Sequence, residues 1–237
     1  MTKEEIGQRV ALLLVKAGAI HVSRQQPFIL AAGWASPVYV DCRVLIGAPQ
    51  VRRAITDLAL EFLSSAVPAH SFDAVAGAET AGIPFAAWLA ERSGLAMRYV
   101  RKRPLGIGRN AQVEGGSVDG LRVLLMDDLT TDGTSKLGFV RGLRSAGAVV
   151  AHALTIFYNN AFPGALERLK EAGLELHALA TWADVLQGPA SEHLATEDRA
   201  AIEHFLTDPV AWSTHHGGRA ARSLRGQIAP RSDASGS

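Results

Sequence analysis

Two carboxylates, Asp127 and Asp128, stand side by side in VLLMDDLTTDGTSK, residues 123–136. An apolar run leads into them, and a turn of hydroxyls and glycine leads out towards a helical segment. Adjacent acids are good acceptors for a vicinal diol such as that of a ribose. The turn that follows, Thr130 to Ser135, offers hydroxyls and backbone amides just where a helix begins. Free amides and the positive end of the helix dipole favour a phosphate there. A diol reader placed directly before a phosphate cradle suits a ribose 5-phosphate. The competing reading is a solvated Asp-Asp turn, with Asp132 serving only to cap the helix. The apolar strand before the acids and the complete hydroxyl–glycine turn after them favour the ligand site. The spacing is not that of a Walker loop, G-x-x-x-x-G-K-[ST].

The segments that must position these residues alternate in type. Ile6, Val10, Leu13 and Leu14 recur at helical spacing, which predicts a helix over 3–17. Residues 27–42 read as β-structure on both sides of a turn at Gly33. Residues 48–65 read as a helix with proline near its start. Strands are expected at 72–77, 96–101, 121–127, 148–159 and 174–180. Helices are expected at 82–94, 134–147, near 163–172 and near 193–206. A polar, glycine-rich loop fills 102–119. Strands that alternate with helices give an α/β fold with a mostly parallel, twisted sheet flanked by helices. In such a sheet ligands bind beyond the carboxyl ends of the strands. Three loops fall there: 77–82, 102–119 and 127–135. Residues 1–213 are expected to form one domain, and the small, polar, basic stretch 214–237 a disordered tail.

The chain has 237 residues, 48% of them hydrophobic, enough for one well-packed domain. Its net charge of +1 argues against a nucleic-acid binder driven by bulk electrostatics. The single cysteine, Cys42, forbids an intrachain disulfide and suits a reducing compartment. No apolar run approaches the ~20 residues of a membrane helix. A cytoplasmic protein is expected, with no membrane and no nucleic-acid partner.

VLLMDDLTTDGTS resembles the phosphoribosyl pyrophosphate (PRPP) signature of the type I phosphoribosyltransferases. PFILAAGWASPVYVDCR (27–43) resembles the substrate hood of the orotate phosphoribosyltransferases, and FDAVAGAETAGIPFAAWLAER (72–92) their pyrophosphate loop. YVRKRPLGIGRNAQVEGG (99–116) resembles their mobile catalytic loop. The likeness runs in order from about residue 20 to 160, with the hood mainly at 20–45. It implies transfer of a phosphoribosyl group from PRPP to orotate, releasing pyrophosphate, with Mg²⁺ carried mainly by PRPP and no direct protein ligand. It also implies a homodimer. Carried over, Asp127 and Asp128 hold the ribose hydroxyls, and Leu129, Thr130, Thr131, Asp132, Gly133, Thr134 and Ser135 surround the 5-phosphate. Thr131 also lies near the base. Glu79, Thr80, Ala81 and Gly82 form a backbone bed for pyrophosphate, and Arg101 and Lys102 bind its charge. Arg101, Lys102, Asp127 and Asp128 are the residues expected to act in catalysis.

The chain departs from the family pattern in its loop. Leu105 stands where a second lysine is common, and Ile107 where a histidine or aromatic residue is common. Reduced turnover is therefore expected, and a PRPP- or nucleotide-binding paralogue acting as a sensor is the alternative reading. Arg103 and Arg109 are the nearby cations. Ala31, Ala81 and Asn159 also replace basic residues found in relatives, which leaves the orotate carboxylate to Arg43. His215 and His216 lack acidic or cysteine neighbours and carry no metal expectation. His152, within an apolar strand, and Trp88, beside Phe85 and Leu89, read as core. Cys42 reads as structural. Trp34 reads as either a cover for the base or a dimer contact.

Overall fold

The protein is described by a computed structural model covering residues 1–104 and 112–218. Its centre is a six-stranded sheet of order β10-β9-β8-β5-β6-β7. The strands are β5 (Ala74–Ala78), β6 (Ala96–Val100), β7 (Val113–Glu114), β8 (Arg122–Thr130), β9 (Val149–Tyr158) and β10 (Glu175–Thr181). All neighbours pair in parallel except β6 and β7. β5 reads AVAGA and every residue of it is buried. That is what a central parallel strand requires, since helices cover both faces.

One face is covered by α1 (Lys3–Lys16), α2 (Pro49–Ala66) and α3 (Gly82–Ser93). Ile6, Val10 and Leu14 of α1 join Ile55 and Phe62 of α2, Phe85 and Leu89 of α3, and Leu124, Met126, Leu154 and Ile156 of the sheet in one core. α1 starts at a capping box, in which Thr2 and Glu5 satisfy each other's backbone amides. The other face is covered by α4 (Thr134–Ser145) and α5 (Ala165–Glu171). Phe139, Val140, Leu143 and Leu169 pack there on Val123, Leu125 and Ala153.

The hood holds two small antiparallel pairs: β1 (Ile20–Val22) with β4 (Val38–Val40), and β2 (Phe28–Ile29) with β3 (Ala35–Ser36). A 3₁₀ turn over Cys42–Gly47 follows. Three helices come after β10: α6 (Trp182–Gln187), α7 (Thr196–Thr207) and α8 (Pro209–His215). Ser213 of α8 is fully buried and its hydroxyl accepts from the Ala35 amide of the hood at 3.0 Å.

Several expectations change. β8 does not stop at the two acids but continues to Thr130, because β9 offers partners as far as Tyr158. Part of the 102–119 loop is strand: β7 lies antiparallel on β6. The boundary at 214 falls inside α8, which runs to His215. Trp34 is neither a cover nor an outward contact. It is fully buried and stacks on Phe162 at 4.4 Å. Trp88 is half-buried and carries the Arg52 guanidinium 5.0 Å above its ring. Cys42 is buried, and burial pushes its thiol well above the ordinary range, as befits a structural residue. No helix among the described residues is long and apolar enough to cross a membrane. Leu105, Ile107, Arg109 and the basic residues of the tail from 219 onward lie outside the described residues.

Candidate functional site

β8, β5 and β6 are neighbours in the sheet, so their carboxyl ends open side by side. The loops that leave them are held to one another by named contacts. Gly82, the first residue of α3, packs against the end of β8. A Cβ built on Gly82 would stand 2.4 Å from the Met126 carbonyl oxygen and 3.0 Å from the Asp127 Cα. Only glycine allows that approach. On the other side, the Glu79 amide donates to the Val100 carbonyl at 3.0 Å, and the Lys102 amide donates to Glu79 Oε2 at 2.8 Å. Arg101 Nη1 lies 3.8 Å from Glu79 Oε1, and its Nε donates to Glu114 at 3.3 Å. Arg101 and Gln112 exchange backbone and side-chain hydrogen bonds at 2.8 and 3.0 Å. The base of the long loop is thus fastened, and Lys102 and Arg103 remain exposed.

Asp127 and Asp128 sit in different electrostatic settings. Asp127 is buried, and its Oδ2 is 2.7 Å from the ammonium of Lys136. Lys136 is itself fully buried and also donates to the Leu129 carbonyl at 2.9 Å. The other oxygen of Asp127 accepts from the Asp128 amide at 3.0 Å. Asp128 is pushed from an ordinary 3.8 up to about 7. Burial is the main cause, followed by the charge of Asp127 and a hydrogen bond with it, while Lys136 opposes the rise. The Asp128 carboxyl therefore holds a labile proton near neutral pH. Asp128 also acts electrostatically on Cys42 and Arg43, so the hood comes close to the acids.

The turn after β8 leads directly into the N-terminus of α4. Gly133 is the N-cap of α4 with φ +75° and no capping side chain. A Cβ there would be strained by its conformation and would press on Leu169 at 3.1 Å. Asp132 is buried and its Oδ1 accepts from the Thr134 amide at 3.0 Å, so it does cap this turn. Its carbonyl accepts from Arg168 at 2.7 Å. Thr131 is half-buried, and Thr134 and Ser135 are exposed. Thr130 points inward, with its hydroxyl buried and unpartnered among the described residues. Leu129 contributes its carbonyl to Lys136 and not to the crevice.

Arg43 is held in place. Asp41 takes its Nε and Nη2 at 2.6 and 2.8 Å, and Nη2 also donates to the Tyr39 hydroxyl at 3.0 Å. Its side chain remains more than half exposed. Asn159 cannot serve a ligand with its side-chain oxygen, which accepts from Trp182 Nε1 and the Ala161 amide.

Lys136 is the residue that the sequence reading missed. The signal was present: Lys136 falls in register with Phe139, Val140 and Leu143, on the apolar stripe of α4. A lysine on a buried stripe needs an acid opposite it.

No family model matches the chain. The orotate phosphoribosyltransferase of Cereibacter sphaeroides (strain KD131) is 48% identical over 211 residues, covering 89% of this chain and 91% of that protein. The orotate phosphoribosyltransferase of Sinorhizobium fredii is 46% identical over 217 residues, covering 91% and 94%. Among solved structures, orotate phosphoribosyltransferase from Aeropyrum pernix is 35% identical with a TM-score of 0.64, covering 75% of this chain and 97% of that one.

Proposed function

The chain belongs to the orotate phosphoribosyltransferase family, and on that premise we propose that it transfers the phosphoribosyl group of PRPP to orotate. The products are orotidine 5′-monophosphate and pyrophosphate, a step of pyrimidine nucleotide synthesis. The observation that carries this reading is the strand of Asp127 and Asp128 running into the open N-terminus of α4, with the Gly82 loop packed against its end.

In this reading the ribose hydroxyls donate to Asp127 and Asp128. The 5-phosphate lies on the amides and hydroxyls of Thr131 to Ser135 at the positive end of α4. Pyrophosphate lies on the backbone of Glu79 to Gly82, against Arg101 and Lys102. As the bond from the anomeric carbon to pyrophosphate breaks, positive charge grows on the sugar and negative charge on the leaving group. A ring nitrogen of orotate then forms the new bond and its proton leaves to the departing pyrophosphate or to water. Fixed cations at the leaving group are worth most at that moment. Lys136 acts as a positioning residue, because its ammonium holds the Asp127 carboxylate in place. Arg43, oriented by Asp41 and Tyr39, meets the carboxylate of orotate, and Thr131 lies near the base.

Mg²⁺ fits the site as a passenger of PRPP. The acids present are already engaged: Asp127 by Lys136 and a backbone amide, Glu79 by Lys102 and Arg101. They form no ready oxygen cage, and Mg²⁺ commonly binds through substrate phosphates with its remaining waters. Bound there it would neutralise charge on the departing pyrophosphate. The reading places the enzyme in the cytoplasm, as a homodimer.

A steady-state assay with PRPP, Mg²⁺ and each of orotate, uracil, adenine and guanine tests the proposal. Turnover is expected with orotate above all others. Turnover with another base alone would overturn the base assignment. PRPP binding without turnover would restore the sensor reading.

A further inference from the structure

A second group of chemistry-bearing residues lies at the opposite end of the sheet. His152 is on β9, and Glu175 and His177 are on β10. In the parallel register Glu175 pairs with His152 and His177 with Leu154, so all three side chains share the face covered by α1 and α2. Asp127 is in register with Thr155, three residues along β9 from His152, or roughly 10 Å. The cluster is therefore separate from the crevice at the strand ends.

The three side chains meet at His152 Nδ1, with the two imidazole rings 22° from parallel and 5.2 Å apart between centroids. His152 Nδ1 is 3.0 Å from His177 Nε2 and 3.4 Å from Glu175 Oε2. The three ligand atoms all lie within 4.8 Å of one another. A single proton on His152 Nδ1 can serve only one of its two neighbours well. A cation between the three would accept a lone pair from each. Around a tetrahedral ion with bonds of ~2.0–2.1 Å, ligand atoms stand about 3.3 Å apart, close to the two shorter spacings seen. Two imidazoles and one carboxylate form a borderline-soft donor set, which suits Zn²⁺ better than Mg²⁺ or Ca²⁺.

The surroundings favour a defined site. Phe72 meets the His152 ring edge-on at 5.6 Å, and Phe62 meets the His177 ring at 6.0 Å. These walls fix both ring planes. His177 is buried, while Glu175 is exposed and gives access from solvent. Lys3 of α1 is the nearby cation, with its ammonium 5.5 Å over the Phe62 ring. It opposes the ion, and the Glu175 carboxylate offsets it.

We propose that His152, His177 and Glu175 form a Zn²⁺ site that clamps β9 to β10 beneath α1 and α2, independent of the phosphoribosyl transfer site. The fourth position would be filled by water. The test is calorimetric titration of the full-length protein with Zn²⁺ alone, in millimolar Mg²⁺ to occupy oxygen-only sites. One ion per chain is expected. His152→Gln, which can still hydrogen-bond His177, should weaken binding at least ~100-fold, and Glu175→Gln about tenfold. Co²⁺ in place of Zn²⁺ should give visible absorption bands of a low-coordinate ion in the wild type and not in His152→Gln. Zn²⁺ should also raise the urea midpoint of the wild type and leave that of His152→Gln unchanged. If His152→Gln fails to fold, the exposed Glu175→Gln variant still decides the matter. Absence of Zn²⁺ binding by the wild type, or equal binding by the variants, would overturn the proposal.

Discussion

Asp127 and Asp128 are covalent neighbours with different proton affinities, and the difference is visible in what surrounds them. Lys136 holds Asp127, while Asp128 is half-buried beside that charge and pushed up to about 7. The sign of the consequence follows from linkage. The folded-state value lies above the unfolded one, so from about pH 4 to about pH 7 the unfolded chain gives up a proton that the folded chain keeps. Stability therefore falls as pH rises through that window. Asp128→Asn removes the effect. The unliganded variant should be more stable than wild type at pH 8, by on the order of 2–3 kcal/mol, and equal to it near pH 4. Urea unfolding at the two pH values measures this, and equal stability at both would place the labile proton elsewhere. The gain should come with weaker PRPP binding, as a site tuned for a ligand is costly without it. Lys136→Met tests the partner. It leaves Asp127 buried without its cation, which costs about 3–5 kcal/mol. Adding Asp127→Asn should recover much of that loss. A double variant as unstable as Lys136→Met alone would show that the lysine acts through packing.

The elements most legible from sequence are those with a clean period. α1, α2, α3 and α4 carry apolar stripes at 3.6-residue spacing, and β5, β8 and β9 are apolar runs of strand length. The site loops followed, because they are what remains between those elements. β7 was not legible: two residues become a strand only by pairing with β6, a partner set by the fold. The last three residues of β8 were hidden for the same reason, since β9 decides where pairing stops. α8 was not legible as an element because its seven residues are too few to show a period, and only its last two fell in the expected tail; Ser213 anchors it to the hood through the Ala35 amide. Packing between elements also makes a prediction at Gly82. Its Cα faces the Met126 carbonyl so closely that Gly82→Ala must move either α3 or the end of β8. Such overpacking typically costs ~1–3 kcal/mol. PRPP affinity should fall by at least tenfold, because the loop and the acid-bearing strand would part, while circular dichroism stays native. Unchanged affinity by calorimetry would mean that the contact does not set the geometry of the site.

At the scale of the whole molecule, the sheet gathers three loops at one end, and the base of the longest is tied to its own chain. Glu79 holds the Lys102 amide and lies near Arg101, so the base of the loop stays beside the 77–82 loop of its own chain. Arg103, further along, is exposed beyond that tether, and Arg109 lies outside the described residues. The family resemblance implies a dimer in which the loop reaches over the partner's crevice, and a two-fold pair would then hold two composite sites. Light scattering at micromolar concentration should return the mass of two chains, and a monomer would refute the arrangement. The sharing has its own test. One variant carries Arg103→Ala with Arg109→Ala, and the other carries Asp127→Asn with Asp128→Asn. Each alone should be nearly inactive. Mixed after partial unfolding and refolding, half of the dimers combine one chain of each kind. If the loop serves the partner, each mixed dimer has one site with both its acids and its arginines intact. Activity should then return to about a quarter of wild type. If the loop serves its own chain, every site in the mixture lacks either the arginines or the acids, and nothing returns.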